Sequence, residues 1–127
     1  MSYTMMNLTE TVDSAPKFGF EEMGEAHFPR EELGATQTGL SYQVLKPGKR
    51  QAFGHKHDEA EEVYVVLAGS GRVRLDDEIK EIKRLDAIRV APEVKRAFEA
   101  GDNGLSWIAF GAHFEKDGEI LQSFWQD

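Results

Sequence analysis

From Leu40 onward the chain is a series of short runs rich in β-branched and aromatic residues, each stopped by glycine, proline or aspartate before a helix could propagate. Residues 41–45 run into Pro47-Gly48, and residues 62–67 (Glu-Val-Tyr-Val-Val-Leu) into Gly69-Ser70-Gly71. Residues 72–75 turn through Asp76-Asp77-Glu78 into residues 79–83. Residues 86–90 stop at Pro92, residues 96–98 at Gly101-Asp102-Asn103-Gly104, and residues 105–110 form the last strong run. Strands at roughly 8–12-residue spacing with turn chemistry between them predict an all-β antiparallel sandwich or barrel. The first 39 residues read differently. Residues 1–15 are polar and irregular, and Phe18 and Phe20 alternate with Lys17 and Gly19 as in a short edge strand. Residues 21–39 carry Gly24, Pro29, Gly34 and Gly39, as a loop would. The expected organisation is an N-terminal arm with an edge strand (1–39), a barrel (40–113) and a C-terminal tail (114–127) that packs on the barrel or a partner.

The 127 residues amount to one domain. Asp and Glu outnumber Lys and Arg by 23 to 15, for a net charge of −8. That balance leaves no basic face for nucleic acid or anionic lipid. The absence of cysteine excludes a disulfide framework, a thiolate zinc site and a cysteine nucleophile. Glu10, Asp13 and Lys17 interrupt the start of the chain, which does not read as a secretory signal. Nor does any apolar stretch approach the ~18 residues of a spanning helix. The prediction is a soluble cytoplasmic protein.

His55 and His57 are two of only four histidines. On a strand, a spacing of two puts both imidazoles on one face, so that two ring nitrogens can converge. Glu62 has the opposite parity to His57 on a straight strand. The turn-like Asp58-Glu59-Ala60 between them resets the phase and lets the carboxylate fold back. The full pattern, His-x-His-x4-Glu-x6-Gly ending at Gly69, is roughly a one-in-a-thousand coincidence at this chain's residue frequencies. Two imidazoles and a carboxylate suit iron, manganese, nickel or zinc, and leave coordination positions open. Each imidazole then needs an acceptor behind it to fix its tautomer.

The stretch from Leu40 to about His113 resembles the cupin superfamily, its small single-domain bacterial members in particular. Pro47-Gly48 through Gly69 is similar to the first cupin motif, and the resemblance implies that His55, His57 and Glu62 bind a divalent metal. Glu61 is the neighbouring carboxylate that could take Glu62's place. Residues 85–101 are similar to the second motif, with Asp86 where a Gly-Asp pair commonly sits and Pro92 at its proline. The implied fold is the double-stranded β-helix, a short jelly-roll barrel with the site inside. The implied activity is dioxygenase or isomerase chemistry on a small organic ligand, which is expected to be anionic because of Arg96. The family's fourth ligand, a histidine, falls on Arg96 or Ala97, and neither can ligate.

Arg96, expected to point inward, has two candidate partners. Pairing with Glu62 would withdraw the anionic ligand, whereas standing beyond the ligands would make Arg96 a clamp for a substrate carboxylate. The clamp is the preferred expectation. Tyr64 shares parity with Glu62 and Val66 and is the second substrate-binding candidate. The alternative is a metal-free barrel that holds an acidic metabolite through Arg96 and the two histidines. Arg72 and Arg74 alternate with Val73 and Leu75, which places the arginines in solvent. Phe53, Phe98, Trp107 and Phe110 read as core and lining, His113 as a loop residue and His27 as surface. Phe124-Trp125 must be buried against this domain or a neighbouring subunit. Together with residues 18–20 they predict a homodimer.

Overall fold

The computed structural model describes residues 2–125. In chain order its strands are β1 (Gly24–His27), β2 (Thr38–Leu45), β3 (Gly54–His57), β4 (Glu62–Leu75), β5 (Glu78–Lys83), β6 (Ala87–Val90), β7 (Arg96–Ala112) and β8 (Gly118–Leu121). One helical turn, α1 (Arg30–Leu33), lies between β1 and β2. No helix among the described residues is long and apolar enough to cross a membrane.

β4 and β7 run antiparallel over nearly their whole lengths, and both bend. The first half of β4 pairs with β6 and with the second half of β7, which in turn pairs with β2, itself flanked by β1. The second half of β4 pairs with β5 and with the first half of β7, which continues to β3 and then β8. One continuous sheet is thus folded into two facing halves that share the bent strands. The turn pattern predicts an antiparallel sandwich or barrel, and this is the jelly-roll form of it that the family resemblance implies.

Glycine makes the bend possible. Gly69 has φ +77°, and a Cβ there would sit 2.0 Å from the carbonyl oxygen of Gly104 on the crossing strand. The register shifts at this point, which flips the inward-facing set on both strands. On β4 the buried residues are Tyr64 and Val66 before the bend and Val73 after it. On β7 they are Phe98 and Ala100, then Leu105, Trp107 and Ala109. Phe98 stacks on Trp107 with ring centroids 4.3 Å apart, and this pair forms the centre of the core. The flip also corrects one expectation. Phe110 falls on the outer face and is 37% exposed.

Residues 18–20 are not an edge strand. Pro16–Phe18 form a 3₁₀ turn closed by Gly19 in the left-handed region (φ +79°), and the edge strand is β1 instead. Proline lacks the N–H a strand would need and presets the φ of a turn. The sheet therefore runs past 40–113 at both ends, since β1 precedes that span and β8 follows it. His27 is not on the surface. Residues 11–13 lie across β1, and Thr11 Oγ1 and Glu25 Oε1 stand 2.9 Å from the two ring nitrogens of His27.

The tail closes the other end of the barrel. Phe124 is buried and takes the space a side chain at residue 54 would need, while Trp125 Nε1 donates to the Gln51 carbonyl at 3.0 Å. The guanidinium of Arg74 lies 4.6 Å from the Phe124 ring centre and donates to the Phe124 carbonyl at 2.6 Å. Arg50 lies 4.4 Å from the Trp125 ring. Arg74 is therefore covered rather than solvated, because cation–π contact draws the tail over it. Both terminal aromatics pack within one chain, while Phe18 remains 57% exposed.

Beside the tail, Arg50 and Arg72 both pair with Glu99, so Arg72 is not simply in solvent either. Burial alone would raise the pKa of Glu99, but these hydrogen bonds and charges hold it below the ordinary value. A carboxylate depressed in the folded state stabilises the fold above its unfolded pKa, and the contribution fades as pH falls through the folded one. Glu99→Gln is accordingly expected to be less stable than the parent at about pH 7 and to lose less on acidification below about pH 4. Denaturant midpoints at the two pH values check this, and parallel losses would contradict it.

Candidate metal centre and cavity

β3 is held from both sides. It pairs with β8 from Gly54↔Leu121 to His57↔Gly118, and with β7 at His55↔Arg96. Period-two alternation puts both imidazoles inside the barrel, with ring centroids 5.4 Å apart and planes nearly perpendicular. Glu62 opens β4 on the facing wall. Its Oε1 lies 3.0 Å from His57 Nε2 and 3.6 Å from His55 Nε2. One ligand atom from each of the three residues falls within 4.8 Å of the others. Glu61 points outward and pairs with Arg89 at 3.0 Å, so Glu62 is the carboxylate that faces the histidines.

The phase reset between His57 and Glu62 is built by a residue that sequence reasoning passed over. Asp117 precedes β8 and is buried. Its carboxylate accepts the backbone N–H groups of Asp58, Glu59 and Ala60 at 3.1, 2.7 and 3.0 Å. Its Oδ2 also stands 3.1 Å from His57 Nδ1. A carboxylate can only accept, and both ring nitrogens face one, so Nδ1–H donates to Asp117 and Nε2–H to Glu62; a bound ion would take the place of the Nε2 proton while Asp117 keeps the proton on Nδ1. The Asp117-Gly118 pair was visible as a turn signal, but nothing local linked it to His57, 60 positions earlier.

Arg96 corrects the preferred expectation. It is fully buried and inward, but not a clamp. Nη2 donates to Glu62 Oε1 at 2.9 Å, Nε to the Tyr64 hydroxyl at 3.0 Å, and Nη1 to the carbonyls of Pro92 and Val94 at 3.1 and 2.7 Å. The guanidinium sits behind Tyr64 and Glu62 and does not line the cavity. Tyr64 is also engaged, since it donates to Glu62 Oε1 at 2.8 Å while accepting from Arg96.

These contacts set the protonation states. Burial would raise Glu62, but hydrogen bonds from His55, His57 and Tyr64 hold it far below the ordinary carboxylate range, so it is an anion. Burial pushes His55 down, favouring the neutral ring. His57 is raised, chiefly by its hydrogen bond to Glu62. Tyr64 is raised by burial and by the Glu62 charge, so it stays a phenol.

Whether the donors suit a divalent ion can be judged from their chemistry. Two imidazole nitrogens and a carboxylate converge, an acceptor behind one imidazole fixes its tautomer, and Glu62 Oε2 has no hydrogen-bond partner among the described residues. The set fits, and His55, His57 and Glu62 can hold a metal ion.

The three donors lie on the wall of a cavity of about 990 Å³ between the two halves of the sheet and the N-terminal arm. Phe53 lines it, as expected, together with Phe20, Leu40 and Val44. His113 lies just past β7 at the rim and is paired with Glu115 at 3.1 Å.

No protein-family model matches the chain. An uncharacterized protein of Methanocaldococcus jannaschii is 32% identical over 71 residues, 54% of this chain, and the match spans only 57% of that protein. Among solved structures, a cupin protein from Bacteroides fragilis superposes with TM-score 0.72 at 22% identity, covering 91% of this chain and 88% of the other. The polyketide cyclase RemF from Streptomyces resistomycificus gives TM-score 0.75 at 16% identity over 98% of this chain and 87% of its own. Oxalate decarboxylase from Bacillus subtilis gives 0.74 at 21% identity over 95% of this chain, but only 33% of its own length. At such identities the likeness speaks for the fold. The bent, shared strands and these superpositions agree that the chain has the double-stranded β-helix fold, the fold of the Bacteroides fragilis cupin protein.

Proposed function

We propose that the barrel binds one divalent metal ion through His55, His57 and Glu62 and takes an organic molecule into the cavity beside it. The observation that carries this is the convergence of the three ligand atoms within 4.8 Å on the cavity wall. An ion held there supplies Lewis acidity, or a redox centre if it is iron or manganese. Dioxygenase or isomerase chemistry is the reading that three donors on one side, with the cavity side open, support best. Among the chain's own residues, Asp117 orients His57, Tyr64 and Arg96 fix the Glu62 carboxylate, and the apolar wall excludes water. A metal-free barrel gripping an anion through Arg96 is disfavoured, because Arg96 lies behind the wall with its donors engaged.

The test is elemental analysis of protein purified without a nickel column. About one equivalent of iron, manganese, nickel or zinc is expected, removable by a chelator and restored on adding back the ion. Less than about a tenth of an equivalent, with no uptake of any of the four in titration, would overturn the proposal.

A further inference from the structure

The charges on the cavity wall are already matched by the protein itself. Glu25 is paired with His27 at 2.9 Å, Glu119 with Lys56 at 3.3 Å and Glu62 with Arg96 at 2.9 Å. Asp117 is capped by three backbone N–H groups, and Arg30 pairs with Glu31 at 3.7 Å while donating to the Ala35 carbonyl at 3.1 Å. Among the described residues no other Asp, Glu, Lys or Arg lines the cavity. An anion standing away from the metal donors would lose its hydration and have to compete with Glu31 for the one arginine of this wall, Arg30.

The remaining wall is apolar and aromatic. Phe20 and Phe53 meet at 5.3 Å between ring centres, a tilted pair that offers a face and an edge to a flat ring, and Met23, Leu40, Val44 and Ile120 continue the surface. About 990 Å³ is at the upper end of what drug-sized ligands occupy and far too large for a molecule of a few atoms.

One polar group in this wall is held in a fixed orientation by the fold with donors to offer. The backbone N–H of Phe98 donates to Gln51 Oε1 at 2.9 Å, which fixes the orientation of that amide. Gln51 Nε2 then donates to Gln43 Oε1 at 3.1 Å, which fixes the second amide in turn. Gln43 therefore has its oxygen engaged and its NH₂ group unpartnered among the described residues, on a side chain that lines the cavity. A donor so placed selects for an oxygen acceptor.

Resting on the metal-site reading above, we infer that the cavity takes an uncharged, largely aromatic molecule of ketone or phenol type: its flat body lies against Phe20 and Phe53, one oxygen accepts from Gln43, and another faces His55, His57 and Glu62. Sugar phosphates, nucleotides and small dicarboxylic acids are excluded by the same wall. The small anionic ligand expected from the sequence is thereby replaced, since that expectation depended on Arg96 reaching the cavity.

The test is calorimetric titration of chelator-stripped and zinc-loaded protein with four probes: 1-tetralone, the three-ring ketone anthrone, naphthalene-1-carboxylate and glucose 6-phosphate. In the stripped protein the ketones are expected to bind at least about tenfold more tightly than the naphthoate, because the carboxylate would be buried unpaired. Glucose 6-phosphate is expected not to bind either form. Gln43→Glu keeps the acceptor for Gln51 and removes the donor, and is expected to weaken ketone binding about five- to tenfold. Naphthoate binding as tightly as the ketones, measurable binding of glucose 6-phosphate, or no binding of either ketone to either form would overturn the inference. So would ketone affinity unchanged in Gln43→Glu. Zinc uptake by the same samples is read separately. One equivalent of zinc without ketone binding sinks the ligand class alone, and ketone binding without zinc uptake sinks the metal reading alone.

Discussion

Arg96→Met is expected to destabilise the fold by about 3–5 kcal/mol and, at the same time, to tighten metal binding. The loss follows from what the guanidinium leaves behind. The Glu62 carboxylate, the Tyr64 hydroxyl and the carbonyls of Pro92 and Val94 all lose a donor in a place where Arg96 was fully buried. The gain follows from the same contact. Glu62 Oε1, freed from a cation 2.9 Å away, gives its full charge to an ion held with His55 and His57. Because an ion that binds only the folded state stabilises it by mass action, added zinc or manganese should raise the denaturation midpoint of Arg96→Met more than that of the parent. Arg96→His should act in the same direction and adds a donor directly across from His55, its register partner. A destabilisation below about 1 kcal/mol, or an unchanged response to metal, would mean that the Arg96–Glu62 pair does not govern the site. The double variant Arg96→Met with Glu62→Met is expected to be more stable than Arg96→Met alone, since it removes the stranded charge along with its partner.

The two possible roles of Arg96 show where sequence reading stopped. What is local was legible. Turn residues announced the strands, a spacing of two put His55 and His57 on one face, and parity along β4 aligned Glu62 with Tyr64 and Val66. What depends on register between distant strands was not. Whether Arg96 paired or clamped was decided by β7 bringing it opposite His55 and level with Glu62. The outward turn of Phe110 likewise follows from a register shift at a pair of glycines that simple alternation could not place. His27 read as surface because the arm that buries it, residues 11–13, has no periodic pattern of its own. At 18–20, alternation was misread where Pro16 was the stronger signal. Asp117 is the largest omission, since the acidic, polar stretch around it looked like an ordinary exposed loop.

Asp117→Ala is expected to weaken metal binding about 10–100-fold, the usual effect of removing the acceptor behind a ligating imidazole. Two mechanisms add here. Without Oδ2 at 3.1 Å, nothing keeps the proton on His57 Nδ1, and the ring divides between tautomers of which only one offers Nε2 to the ion. Without either oxygen, the N–H groups of Asp58, Glu59 and Ala60 lose their acceptor, and the turn that carries the chain from His57 to Glu62 loses its shape. Burial would raise the pKa of Asp117, but those N–H groups and His57 hold it below the ordinary carboxylate value, so it is an anion wherever the site works. Asp117→Asn separates the two effects. Oδ1 serves Asp58 and Glu59 while Oδ2 serves Ala60 and His57, so a single amide oxygen can keep only one pair. Two backbone N–H groups meet Oδ1 and only one meets Oδ2, and the imidazole, unlike an N–H, can change from donor to acceptor, so the amide is expected to turn its oxygen toward Asp58 and Glu59 and its NH₂ group toward His57 and Ala60. That arrangement keeps two of the three backbone bonds and places a donor against Nδ1. The observable is the proton on His57 Nδ1, read from the ring ¹⁵N shifts: present in the parent, absent in Asp117→Asn, where Nδ1 accepts from the amide. A variant with weakened metal binding and the parent's Nδ1–H would show that Asp117 acts through the turn alone, and unchanged metal affinity in Asp117→Ala would remove it from the site altogether.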